Sequence, residues 1–392
     1  MINEAKLMEI KKLSDICLIQ SGGTPSRSKQ EYWNNGNIPW VKISDFDGKY
    51  LSKTTEYITE QGLQGSSAKL FKKGTILYTI FATLGEVCIL DIDATTNQAI
   101  AGLTLVDENI IKDYLYYYLT SLKQTVNEIG RGVAQNNINM SILKNMPIPI
   151  PSKEEQINIV LELDRISSLI TARREQLAKL DELVKSRFIE LFGATGKQVP
   201  LTEYVWFQEG PGVRSVDFTD EGTILLTGSN INDNAISFGH KSDRHISNEL
   251  ALGKYAHFMC DKDDILVVSS AIDPDKFDRK VVVVDVDKKY CLNTGIIRFK
   301  PNKQYLTLGY FREFLKTDYF KHQVSSEMRG IAQMHFGPSH LKQMTILLPD
   351  SIERQVEFEV FVQQTDKSKF EIQQSLEKLE TLKKALMQKY FG

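Results

Sequence analysis

Two five-residue motifs offer the clearest chemistry in this 392-residue chain. Arg131-Gly132-Val133-Ala134-Gln135 recurs as Arg329-Gly330-Ile331-Ala332-Gln333. An arginine can pair with phosphate or guanine and a glutamine can grip adenine, while glycine lets a backbone approach closely. The same residues also read as a structural turn leading to the strand at Met146 or Met344, with the arginine capping a helix. Both readings stand at this level. Two small polar loops, Ser21-Gly22-Gly23-Thr24-Pro25-Ser26-Arg27 and Thr227-Gly228-Ser229-Asn230, supply further donors and acceptors. The candidate DNA contacts are therefore Gly23, Thr24, Arg27, Lys42, Arg131, Gly132, Gln135, Arg214, Ser229, Asn230, Arg329, Gly330 and Gln333. Trp40, beside Lys42, reads as core rather than as a base-stacking ring.

Signatures of catalysis are missing from the sequence. No Gly-x-Gly-x-x-Gly opens a helix, and Gly193-Ala194-Thr195-Gly196-Lys197 has the wrong spacing for a phosphate-binding loop. Pro274-Asp275 followed by Asp287-Lys288-Lys289 formally fits a metal-dependent nuclease pattern. That pattern is short, and the first half of the chain has no counterpart. A turn before, and a solvated end after, the strand Val281–Val284 explains it better. The six histidines form no metal-like cluster, so neither a catalytic nor a metal site is expected.

Behind these residues the chain repeats. Leu143-Lys144 returns as Leu341-Lys342, Pro151 as Pro349, Gln156 as Gln355, and Phe192-Gly193 as Phe391-Gly392. A period of about 199 residues is far beyond the 20–50 of a solenoid and reads as a duplicated domain. Gly74–Ile80, Val87–Leu90, Ile148–Ile150, Asp264–Ser270 and Val281–Val284 read as strands, and Tyr114–Leu122 and Tyr310–Leu315 as helices. Ser152 with Glu155 forms a capping box that launches a helix of about 40 residues, near 60 Å long at 1.5 Å per residue. Its seam, Leu163, Ile166, Ile170, Leu177, Leu180 and Val184, matches Leu376, Leu379, Leu382 and Leu386 near the C-terminus. A helix with one apolar seam needs a partner, and the other copy, packed antiparallel, is the nearest one. The expected domains are 1–151, 152–193 (helix), 194–349 and 350–392 (helix).

Composition adds bounds. With 42% hydrophobic and 25% charged residues the chain is ordinary globular protein, with no 18-residue apolar run to span a membrane. Cys17, Cys88, Cys260 and Cys291 are scattered, which suits reduced thiols in a cytoplasmic protein. A net charge of −2 averages acidic helices against local cations, so it neither shows nor excludes nucleic-acid binding.

In their order, Ser21–Arg27, Ile38-Pro39-Trp40-Val41, Asn97-Gln98-Ala99-Ile100, Tyr114–Leu119, the Arg-Gly-Val-Ala-Gln motif and Ile148–Pro151 before Glu155-Gln156 carry a resemblance. The chain resembles the specificity subunit of type I restriction–modification systems over essentially its whole length. The second half departs, with Glu209-Gly210-Pro211-Gly212 in place of the Gly-Gly-Thr-Pro loop and Asn293-Thr294-Gly295 in place of Asn-Gln-Ala. The resemblance implies an α+β protein: two β-rich target-recognition domains in a pseudo-two-fold repeat, separated by two long antiparallel coiled-coil helices. It implies a non-catalytic subunit whose domains each read half of a bipartite double-stranded DNA site. The helix seams named above would dock two modification subunits that methylate adenine, with restriction subunits joining them. No cofactor is implied for the chain itself; S-adenosylmethionine, ATP and Mg²⁺ would belong to those partners. The rival readings are a stand-alone DNA-modifying or DNA-cleaving enzyme, and a duplicated protein-binding scaffold.

Overall fold

The computed structural model describes residues 9–131, 138–193, 196–239, 241–270, 273–326 and 335–392. The chain forms two compact units that are not consecutive stretches: one is Met1–Arg173 with Ser375–Gly392, the other Arg174–Gln374. Each is α+β.

In the first unit a five-stranded sheet runs in the order Cys17–Ser21, Ile100–Leu105, Ile76–Thr79, Val87–Leu90, Tyr50–Leu51. All its neighbours are antiparallel except the last pair. Ile76 to Thr79 and Val87 to Leu90 are buried on both faces, which is why they read as unbroken apolar runs. Alternation sends Ile76 and Tyr78 towards one core, beneath Leu115 and Leu119 of the helix Lys112–Ser121. Leu77 turns the other way, to Val41, Leu51 and Phe71. A three-stranded sheet of Glu56–Ile58, Ile38–Val41 and Thr95–Thr96 lies beside them, and Glu9–Lys12 pairs with Pro147–Ile150.

The second unit repeats the plan. Val205–Glu209, Ile296–Pro301, Ile265–Val268 and Val281–Val283 make one sheet; Phe218–Thr219, Arg244–Ile246, Thr223–Leu226 and Tyr290–Leu292 make another. Lys197–Pro200 pairs with Thr345–Leu348, as Glu9–Lys12 does with Pro147–Ile150. Among the buried positions at which the frames differ, one lies opposite Gln20 and Gln208. Gln20 lies opposite Gly102, where any Cβ would come within 2.3 Å of the Phe71 ring. Gln208 lies opposite Arg298, which is buried and bonded to Gln208 (2.6 Å), Asp264 (3.2 Å) and the carbonyls of Met259 and His257 (both 2.8 Å).

The long helices are Lys153–Phe192 and Ile352–Phe391, 40 residues each. Ser152 and Glu155 close the predicted capping box: the Ser152 N–H donates to Glu155 Oε2 (2.8 Å) and the Glu155 N–H to Ser152 Oγ (3.3 Å). Ser351 caps the other helix through the Arg354 N–H at 3.3 Å. Within the second unit Arg187 bonds Glu357 at 2.7 Å and Asp181 pairs with Lys369, so the two segments run antiparallel. Within the first unit Tyr390 donates to Glu162. Among the described residues no helix is long and apolar enough to cross a membrane. All four cysteines are buried and unpaired, and burial pushes the Cys17 thiol up to about 12.

One glutamine anchors the start of each long helix. Buried Gln156 accepts from the Ile111 N–H (2.8 Å) and donates to the carbonyls of Asn109 (3.1 Å) and Pro151 (3.0 Å). Gln355 likewise accepts from the Thr307 N–H (2.9 Å) and donates to Tyr305 (3.0 Å). Ile111 and Thr307 are the N-caps of the domain helices Lys112–Ser121 and Leu308–Phe314. Gln156→Leu strands one buried N–H and two carbonyls and is expected to cost about 1–3 kcal/mol in urea unfolding. Gln156→Glu keeps the acceptor, loses both donors, and should be no milder. A Gln156→Leu variant as stable as the parent refutes this anchoring role.

Candidate nucleic-acid interface

In the first unit the strand Ile38–Val41 runs into a single 3-10 turn, Ile43–Asp45, at whose head the Lys42 N–H donates to Asp45 Oδ2 (2.8 Å). Asp45 also accepts from Thr54 (2.8 Å) and Thr55 (3.1 Å). Beside this turn the chain from Gly22 is tied to the sheet, with the Gly22 N–H on the Ile100 carbonyl (3.0 Å) and the Gly23 N–H on that of Thr96 (2.9 Å). The Gly23 carbonyl takes the indole N–H of buried Trp40 at 3.1 Å, and a Cβ at Gly23 would lie 2.4 Å from Ser67 Oγ. Thr24 then donates to Gln98. Past this clamp the loop carries exposed Ser26, Arg27, Ser28, Lys29 and Gln30, followed by exposed Asn34, Asn35 and Asn37.

Arg27 in that loop is held by both an aromatic ring and a carboxylate. Its guanidinium lies 3.6 Å from the centre of the Trp33 ring, and it pairs with Glu56 at 2.6 Å. Lys42 reaches the same carboxylate at 2.7 Å. Burial opposes the charge on Glu56, but the bonds from Lys42 and Arg27 prevail and hold its pKa below the ordinary carboxylate value. The stabilisation from this cluster is therefore present at neutral pH and is lost as pH falls through that lowered value.

The second unit builds the same corner with other residues. Thr223–Leu226 leads into the 3-10 turn Gly228–Asn230, and Asn230 stands where Asp45 stands, accepting from the Thr227 N–H (3.0 Å) and hydroxyl (2.9 Å). The Asn230 amide donates to the Ser237 carbonyl (3.2 Å) and to Asp243 (2.8 Å). The Gly210 N–H bonds the Ile296 carbonyl at 3.0 Å and the Thr294 N–H bonds that of Pro211 at 2.9 Å, so the divergent loops keep the clamp. Arg214 is exposed and has no ion pair among the described residues. Ser229 is exposed and shares its hydroxyl with Thr227 (2.8 Å) and Ser242 (3.0 Å).

A family model of the type I restriction modification DNA specificity domain matches residues 5–182 and again residues 199–384. The chain belongs to this family. Among its relatives, the type I restriction enzyme MjaIX specificity subunit of Methanocaldococcus jannaschii is 32% identical over 189 residues, 47% of this chain and 42% of that protein. The EcoR124I/EcoR124II specificity subunit of Escherichia coli is 30% identical over 189 residues, 46% of each. The matched stretch thus spans less than half the length of either relative. A type I S subunit from M. genitalium of known crystal structure shares the fold, with a TM-score of 0.54 at 16% identity, covering 100% of this chain and 98% of that one.

Each specificity domain thus presents one polar corner, and the structure sorts the residues expected there. Thr24, Arg27, Arg214 and Ser229 lie on exposed or half-exposed loops. Gly23 and Asn230 are buried, and their polar groups bond inside the fold. Lys42 is half-buried on Glu56. Arg131 ends the helix Lys123–Arg131, while Gly132, Gln135, Arg329, Gly330 and Gln333 lie outside the described residues. Of the helix seams, Leu163, Ile166, Ile170, Val184 and Leu376 are buried. Leu177, Leu180, Leu379 and Leu386 are partly covered, and Leu382 is exposed. At the nuclease-like pattern, Asp287 accepts the Lys262 N–H (2.6 Å) and Lys288 pairs with Asp261, an ordinary turn. Sequence reasoning passed over Asp45, Glu56, Gln98 and Arg244. A carboxylate or amide three residues after Lys42 and Thr227 was the available signal for the paired caps Asp45 and Asn230.

Asn230→Ala removes both halves of an internal cap, and a loss of about 1–3 kcal/mol in stability is expected. DNA affinity per folded molecule should be unchanged. A drop in that affinity at unchanged stability would restore Asn230 as a contact.

Proposed function

We propose that the chain is the DNA sequence-specificity subunit of a type I restriction–modification complex, each specificity domain reading one half of a bipartite, asymmetric site. The observation that carries this is the duplication: one family domain matches twice, on a shared frame whose exposed corners differ. Reading two unlike half-sites needs that combination. The chain itself is non-catalytic in this reading. Adenine methylation with S-adenosylmethionine, and ATP- and Mg²⁺-dependent translocation and cleavage, belong to modification and restriction subunits in the cytoplasm.

In this reading the docking surface for modification subunits includes the outer face of the long helices. Ile157 and Leu161 of the first long helix and Val356 and Val360 of the second are exposed, and they occupy matching places, one and five residues beyond Gln156 and Gln355. Two copies of one apolar patch suit two copies of one partner.

Exchange of residues 1–151 for the first domain of another family member is expected to change one half of the methylated motif and to leave the other half and the spacing intact. Methylome sequencing of cells carrying the chimera reads this, and a change in both halves would defeat the modular reading. Leu161→Glu combined with Val360→Glu should abolish co-purification of the modification subunits while the chain stays folded. Undiminished co-purification would remove these residues from the docking surface.

A further inference from the structure

The small sheets of the two units can be aligned residue by residue from their ladders. Trp40 lies opposite Glu56 and beside Thr95 in the first unit; Leu225 lies opposite Arg244 and beside Cys291 in the second. Two residues on, Ile58 and Ile246 are both buried, and the next residues, Thr59 and Ser247, both cap short helices through their side-chain oxygens. Glu56 and Arg244 therefore occupy the same place with opposite charge.

The charge is restored by different routes. Glu56 draws in the Arg27 guanidinium, whose side chain stays 54% exposed and lies over Trp33. Arg244 supplies its guanidinium directly, 5.9 Å from the Phe218 ring centre. Its Nη1 is fixed by the carbonyls of Lys241 (3.0 Å) and Asp243 (2.9 Å), and among the described residues its Nη2 has no hydrogen-bond partner. Each corner thus holds a guanidinium that is backed by an aromatic ring and oriented by fixed acceptors, with part of its donor fork free.

A planar fork held in one orientation suits two adjacent acceptors on one base, and guanine O6 and N7 in the major groove are such a pair. We propose that Arg27 and Arg244 are the guanine-reading groups of the first and second half-sites, and that Glu56 is the positioning residue that aims Arg27. This rests on the specificity function proposed above.

The test is selection of a randomised DNA duplex library by the full-length chain, parent and variants, with melting temperatures taken alongside. Arg244→Lys keeps the charge but not the fork. It should cut the preference for guanine by about tenfold at one position of one half-site and leave the other half-site alone. Arg27→Lys should do the same at one position of the other half-site. Glu56→Gln, which leaves Arg27 in place, should blur that same position while non-specific affinity holds or rises. Should Glu56→Gln unfold, the two lysine variants, altered at side-chain tips, still decide. Unchanged preferences, a change in only one half-site across both lysine variants, or a uniform loss at every position overturns the proposal. Failure of the parent chain to select any sequence would instead remove the specificity function, and this inference with it.

Discussion

Seating the ends of two 40-residue helices is the constraint on which the rest of the molecule depends. A long helix with a single apolar seam is not stable alone in water, so it must be held by packing. Each begins where Gln156 or Gln355 fills the bonds of a neighbouring helix start. Each ends on an aromatic cluster: Phe192 lies 4.8 Å from Tyr310 in the second unit, and Phe391 lies 5.7 Å from Tyr114 in the first. Those tyrosines are themselves buried and donate to the carbonyls of Leu347 and Pro149. The repeated Phe-Gly ends are thus aromatic plugs, and each unit is completed by the terminal segment of the other copy's helix.

On this support the two specificity domains diverge in ways that separate frame from surface. Replacing Gly102 by its counterpart Arg298 requires a whole set of partners, because a buried guanidinium without them costs several kcal/mol. Gln208, Asp264 and two carbonyls provide them. The change from Glu56 to Arg244 needs no such rebuilding, since both side chains reach solvent. The clamp shared at Gly22 and Gly210 holds the loops in place while their outward residues differ.

Much of the fold was legible because its signals are local. The capping box, the seam of the long helices and the apolar runs around Ile76, Val87 and Ile265 all depend on neighbours within one or two turns. The strands around Ile76 and Ile265 are shorter than expected at their ends: Gly74, with φ of +93°, is a turn rather than strand, and Asp264 leaves the ladder to pair with Arg298. The polar corner was less legible. Asn230 and Ser229 are adjacent and chemically alike, yet one is wholly buried and the other exposed. Of the helix seam expected to face a second protein, Val184 sits in the core of its own unit and Leu163 is buried.

By itself the sequence determined the duplication, the long helices, the family and the loops that carry polar groups. These follow from periodicity, capping residues and repeated motifs, all of which act over short spans of chain. Only the tertiary structure decided which polar groups remain available. Arg27 meets Glu56, Asn230 meets Asp243, and Gln156 meets Asn109 only once the sheets and helices have closed the intervening loops. A hydrogen bond formed in that closure spends a donor that composition alone would count as free.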